Sequence, residues 1–167
     1  MKKLIVILAI LLAACTQQPQ KTTWLINKDW GFALEIPADY LVEDNPWAKH
    51  FSDHGRRIFS PDSLILISTY AGVQVLPDDE VGEDLANSLA EDGFQISQIE
   101  TVGHTLIIHA RNEDGINYYS RHTLANEDGI EYAVSVQYPD EKATEAQGVI
   151  KMADRFPAGP TTESERE

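Results

Sequence analysis

The chain of 167 residues carries 27 acidic against 13 basic side chains, a formal charge of −14. That length fits one domain, and that balance excludes the basic footprint needed to bind nucleic acid or dock electrostatically on anionic lipid. Cys15 is the single cysteine, which excludes an intramolecular disulfide and leaves packing alone to stabilise the core.

At the start of the chain, Lys2 and Lys3 precede the apolar run Leu4–Leu12, too short to span a bilayer as a helix, and Leu12-Ala13-Ala14-Cys15 follows. This order resembles the bacterial lipoprotein signal, in which the cysteine is diacylated, exposed by cleavage and acylated again. On that reading residues 1–14 are a signal peptide and Cys15 is the lipid attachment site. Several acyl chains would hold the protein on a membrane far more firmly than one reversible myristate. Thr16 in place of Asp after the cysteine favours, in the enteric sorting pattern, a Gram-negative outer membrane with the domain facing the periplasm. Removing residues 1–14 takes away two lysines, leaving 11 basic against 27 acidic residues and a formal charge of −16. A surface this acidic attracts cations or a basic partner, and it also serves solubility.

Residues 15–23 (CTQQPQKTT) are polar and aperiodic and read as a lipidated tether, and residues 157–167 as a disordered tail, leaving 24–156 as one domain. Trp24-Leu25-Ile26 opens that domain, followed by a turn near Asn27-Lys28-Asp29 and a strand over Gly31–Ile36 that alternates Phe32, Leu34 and Ile36 with Ala33 and Glu35. Pro37 stops it. The stretch 46–55 is ambiguous. Arg56–Phe59 is a short strand, Ser60-Pro61-Asp62 a turn, and Leu64–Tyr70 a strand apolar on both sides, hence central and covered on both faces.

Asp78–Asp92 is the first helix, with Asp78 or Asp79 as its cap, Glu80, Glu83 and Asp84 near its positive end, and a stripe of Val81, Leu85 and Leu89 widened by Ala86 and Ala90. Gly93 ends it in the left-handed conformation, with Phe94 placed for the accompanying apolar contact. Four strands follow, near Gln95–Val102, His104–Arg111, Ile116–Leu124 and Ile130–Tyr138. Asp140, after Tyr138-Pro139, caps a last helix over 141–156 with the stripe Ala146, Val149, Ile150, Ala153 and Phe156.

Two of the connections are the same tetrapeptide, Asn112-Glu113-Asp114-Gly115 and Asn126-Glu127-Asp128-Gly129. Each fits a type I turn closed by a left-handed glycine; the ligand order of an EF-hand calcium loop is missing. If both turns close alike, with Asn112 opposite Ile116 and Asn126 opposite Ile130, the register of both hairpins follows. One face then holds Leu106, Ile108, Ala110, Tyr118, Ser120, His122, Leu124, Tyr132, Val134 and Val136 as core. The other aligns His109, Tyr119 and Gln137 in one cross-strand row, with Ile107, Arg121 and Ser135 in the next. Arg121 as charged donor with His109, Tyr119 and Gln137 makes a candidate site for an anion, a peptide or a protein partner. A solvated outer face, or one sealed by the first helix, is the structural alternative.

His50 and His54, four apart, could share a helical face as metal ligands, but only Asp53 accompanies them, so no metal site is assigned. His122 falls on the apolar face as a core histidine. No nucleophile elbow, zinc-protease motif or phosphate loop is present, so no catalytic residue is assigned.

The segment Trp30-Gly31-Phe32-Ala33-Leu34-Glu35-Ile36-Pro37, together with Tyr138-Pro139 before the 146–156 stripe, resembles the PsbP-like superfamily, which includes DcrB-type bacterial lipoproteins. The resemblance covers residues 24–156 and implies an α+β fold: an α/β/α sandwich with a mainly antiparallel sheet flanked by two principal helices. It also implies a binding or assembly role without cofactor, and it transfers no functional residue. The expectation is therefore a periplasm-facing lipoprotein that is not an enzyme and serves as a binding or accessory module for another envelope component, held to the membrane through Cys15 and partnered by protein rather than nucleic acid. An inhibitor or immunity lipoprotein against a basic toxin or lysozyme-like enzyme is the second reading, and a hydrolase with residues distant in sequence the third.

Overall fold

The computed structural model describes residues 21–44, 54–124 and 129–157. Cys15, His50, Asp53 and the Asn126-Glu127-Asp128 stretch lie outside the described residues, as do the signal segment, the tether up to residue 20 and the tail from residue 158.

Strands β1 (Thr22–Asn27) and β2 (Phe32–Pro37) form a separate antiparallel hairpin. Strands β3 (Leu41–Asp44), β4 (Gly55–Phe59), β5 (Leu66–Val73), β6 (Phe94–Val102), β7 (Thr105–Asn112), β8 (Ile116–Thr123) and β9 (Ile130–Pro139) build one sheet in the order β3-β4-β5-β9-β8-β7-β6. All its neighbours are antiparallel. Helix α1 (Asp78–Glu91) joins β5 to β6, and a 3-10 turn over Asp140–Lys142 leads into α2 (Ala143–Ala153).

The sheet has a core on each face. Phe32, Leu34 and Ile36 of the hairpin and Ala146, Val149, Ile150 and Ala153 of α2 pack on Ile58, Ile67, Val134 and Val136. On the opposite face, Val81 and Leu89 of α1 pack on Leu106, Ile108 and Ala110, with Leu85 and Phe94 alongside. The fold is the expected α+β sandwich with a helix on either side of an antiparallel sheet. In α2 the stripe runs as its spacing predicts, and the alanines let the helix approach the sheet closely. Phe156, past the helix end, is 2% exposed and meets the Phe32 ring edge-on at 5.2 Å.

Several details depart from the expectations. Thr22 and Thr23 belong to β1 rather than to the tether, and Pro157 accepts a hydrogen bond from the Ala33 amide at 3.4 Å rather than opening the tail. Neither helix is capped by an aspartate side chain. Asp78 instead accepts from Gln74 Nε2 at 2.6 Å, and Asp140 holds Arg111 and Asn117 of the neighbouring hairpin. Strand β3 escapes the pattern because it is four residues long with Leu41 and Val42 both exposed, so burial imposes no alternation on it. Gly55 starts β4 where a Cβ would lie 2.0 Å from the Thr69 carbonyl oxygen, a backbone approach open only to glycine. Strand β5 is central, between β4 and β9, but covered on one face only: Ile67 and Ala71 are buried, whereas Tyr70 on the α1 side is 41% exposed.

The first hairpin closes as predicted. Gly115 has φ +78, its amide reaches the Asn112 carbonyl at 3.2 Å, and His109 pairs with Tyr119 and Ile107 with Arg121. The second register is one residue off: Tyr119 pairs with Val136 and Arg121 with Val134. Because side chains alternate, that slip moves all of β9 to the other face. Tyr132, Val134, Val136 and Tyr138 point to the α2 core, and Ser135 and Gln137 share the α1 face with Tyr118 and His122. Both strand ends at this connection are tied to neighbouring strands. Leu124 is buried with its amide on the His104 carbonyl (2.8 Å), and the Gly129 carbonyl accepts from the Gln74 amide (2.9 Å). The alternative would place Ser135 and Gln137 under α2 in place of two valines.

Candidate functional site

The register decides what becomes of the predicted polar row. His109, Tyr119 and Arg121 do come together, on the face covered by α2 rather than by α1, while Gln137 lies on the opposite face. Tyr119 is 3% exposed, and its hydroxyl donates to Asp154 Oδ1 at 2.5 Å; burial first, then the Asp154 carboxylate, pushes its pKa up. Arg121 Nε donates to the Phe156 carbonyl at 3.3 Å, and the His109 ring meets Tyr119 edge-on at 5.2 Å. Two of the three thus bond to the end of α2 and the third packs on them.

The polar groups with room for a ligand lie on the other face. Helix α1 packs over β6 and β7, which leaves the same face of β5, β9 and β8 partly uncovered. The gap is a half-open cavity of about 380 Å³, within the size range of small-ligand sites. Leu76, Val81 and Leu85 form an apolar wall, and Ser68, Tyr70, Tyr118, His122, Ala133 and Ser135 line it from the sheet. Two carboxylates, Asp84 of α1 and Glu131 of β9, complete it. Among the described residues no lysine or arginine lines the cavity.

Burial sets the electrostatics here. It pulls the His122 pKa down to about 4, so the imidazole is neutral near pH 7, and its Nε2 is sealed from water without a hydrogen-bond partner. It pushes the Glu131 carboxyl and the Tyr118 hydroxyl up, and Tyr70 rises through burial and then through the nearby Glu131 charge. A histidine with so low a pKa is a weak base at neutral pH.

His54, one of the suspected ligand pair, sits with Nδ1 2.7 Å from the Ala71 carbonyl oxygen and its ring 4.6 Å from Trp30. Among the described residues no three His, Cys, Asp or Glu side chains are grouped to hold a metal ion. Sequence reasoning placed His122 correctly on the face it shares with Leu106 and Ile108, but missed Tyr70, Asp84 and Glu131 as its companions. The signal was Ser68 and Tyr70 alternating with Ile67 and Thr69, which becomes legible only with the correct β9 register.

A seven-stranded antiparallel sheet between one helix and a helix-plus-hairpin layer is a PsbP-like α+β fold. No protein-family model matches the chain, and no curated protein matches it in sequence. Among solved structures it is similar to cyanobacterial PsbP (CyanoP) from Synechocystis sp. PCC 6803, with a TM-score of 0.62 and 10% identity, covering 86% of this chain and 95% of that one. It is also similar to LpqN, involved in cell envelope biogenesis of Mycobacterium tuberculosis, with a TM-score of 0.52 and 12% identity over 84% of each chain. At these identities the likeness is one of fold.

Proposed function

We propose that this chain is a non-catalytic accessory module of the bacterial cell envelope, anchored through acyl chains on Cys15 and facing the periplasm from the outer membrane, which binds another envelope component at the cavity beside α1. The observation that carries the reading is the cavity itself: an apolar wall opposite two carboxylates and a neutral histidine, with space left in the fold. The involvement of LpqN in cell envelope biogenesis supports the setting. The row of Tyr119 and Arg121 is the weaker candidate, since both side chains already bond to the end of α2.

The test uses the full lipidated chain, crosslinked in intact envelopes, as wild type and as Ala133→Phe, which fills the cavity from the sheet side without changing charge. A specific component captured by wild type and lost by the equally folded variant supports the reading; identical capture by both overturns it. In the same cells Cys15→Ser should shift the protein from the membrane pellet to the soluble fraction, and a membrane-bound Cys15→Ser would overturn the anchor.

A further inference from the structure

We infer that the cavity beside α1 takes an organic cation, a protonated amine or guanidinium on an apolar stem, with Glu131 as its counter-charge. The inference rests on the proposed binding role of this cavity. Three carboxylates among the described residues are half-buried: Glu35, Glu131 and Glu145. Glu35 is paired with Arg155, and Glu145 with Lys142 at 2.9 Å. Among the described residues Glu131 alone of the three has no basic partner, although burial raises the cost of its charge. A fold that supplies a cation to two of its three half-buried carboxylates leaves the third facing a cavity.

The rest of the cavity suits that occupant. Asp84 of α1 adds a second carboxylate. Tyr70 and Tyr118 present aromatic rings, which attract cations through their faces. His122, being neutral near pH 7, does not repel one. Leu76, Val81 and Leu85 offer an apolar wall to the stem, and the acidic surface concentrates cations around the mouth. The volume admits a small amine or one basic side chain, not a folded segment.

The test is calorimetric titration of the full lipidated chain in detergent with n-hexylammonium, 1-hexanol and hexanoate, which share a stem and differ in charge. Hexylammonium should bind about tenfold or more tighter than hexanol, a preference that Glu131→Gln abolishes and Glu100→Gln, on the outer strand β6, leaves unchanged. Equal binding of hexanol and hexylammonium, or preference for hexanoate, would overturn the cation while leaving the cavity as a binding site, and a preference for hexylammonium insensitive to Glu131→Gln would overturn Glu131 as its counter-charge. Binding of no probe, with capture still sensitive to Ala133→Phe, would overturn the cation alone. Binding of no probe, with capture insensitive to that variant, would overturn the binding role as well. A capped Ala-Lys-Ala peptide binding as well as hexylammonium would assign the cation to a partner's side chain; failure of the peptide beside success of the amine would assign it to a small molecule.

Discussion

Tyr119 in the middle of β8 donates its hydroxyl to Oδ1 of Asp154, the residue that ends α2, at 2.5 Å. A carboxylate at a helix C-terminus opposes the helix dipole, and the tyrosine hydroxyl offsets that by stabilising the charge from below. Arg121 adds a bond to the Phe156 carbonyl two residues further on. Together they clamp the last turn of the helix to the sheet.

Tyr119→Phe should therefore lower stability by about 1–2 kcal/mol, the usual scale for a hydrogen bond lost with its ring retained. Backbone amide exchange should accelerate first in residues 152–156. An unchanged unfolding midpoint and exchange pattern would show that the clamp contributes nothing.

Phe156 should matter more than its position near the chain's end suggests. It is almost fully buried, with the Phe32 ring at 5.2 Å and the Tyr132 ring at 6.3 Å, both edge-on. Phe156→Ala should cost about 3–5 kcal/mol, as truncation of a core aromatic does, read from denaturant unfolding. A loss below about 1 kcal/mol would mean that the segment after α2 is not part of the cooperative unit.

Acid should destabilise the protein through His122. Its pKa is near 4 in the folded chain against 6.5 when unfolded, so between those values the unfolded state binds more protons and stability falls as pH falls. The effect is fully developed only below pH 4 and amounts to roughly 3 kcal/mol as an upper bound. The raised Glu131 carboxyl works in the opposite sense, favouring the folded state in its protonated form and costing stability as pH rises. The difference between wild type and His122→Leu isolates the histidine. The variant should lose the drop between pH 6.5 and 4, and an unaltered profile would contradict the assigned burial.

Gly55→Ala places a methyl group on the Thr69 carbonyl oxygen, a backbone atom that has no rotamer to yield. The cost should be about 2–3 kcal/mol or more. A neutral Gly55→Ala in thermal unfolding would mean that β4 and β5 separate there.

Much of the architecture was legible because local rules dictate it. The apolar stripes of α1 and α2, the left-handed Gly93 at φ +82 and the turn closed by Gly115 all depend on residues close in sequence. So did the pairing of His109 with Tyr119, because a tight turn sets register by its own geometry. Neither Asp78 nor Asp140 caps its helix: Asp78 accepts from Gln74 in the preceding loop, and Asp140 from Arg111 and Asn117 of the neighbouring hairpin.

What the amino-acid order determined by itself is the two helices and the strands other than β3, the stripe each helix buries and the register of the hairpin closed at Gly115, since all of these follow from periodicity and backbone preference over a few residues. What only the tertiary structure decided is the one-residue slip between β8 and β9, and with it which polar side chains meet. The strand pairs that flank the two identical Asn-Glu-Asp-Gly sequences differ in register, and Val134 and Val136, not Ser135 and Gln137, go beneath α2. In a sheet of period two, burial of those valines carries Ser135 to the α1 face beside Tyr118 and His122 and sends Tyr119 and Arg121 to the end of α2.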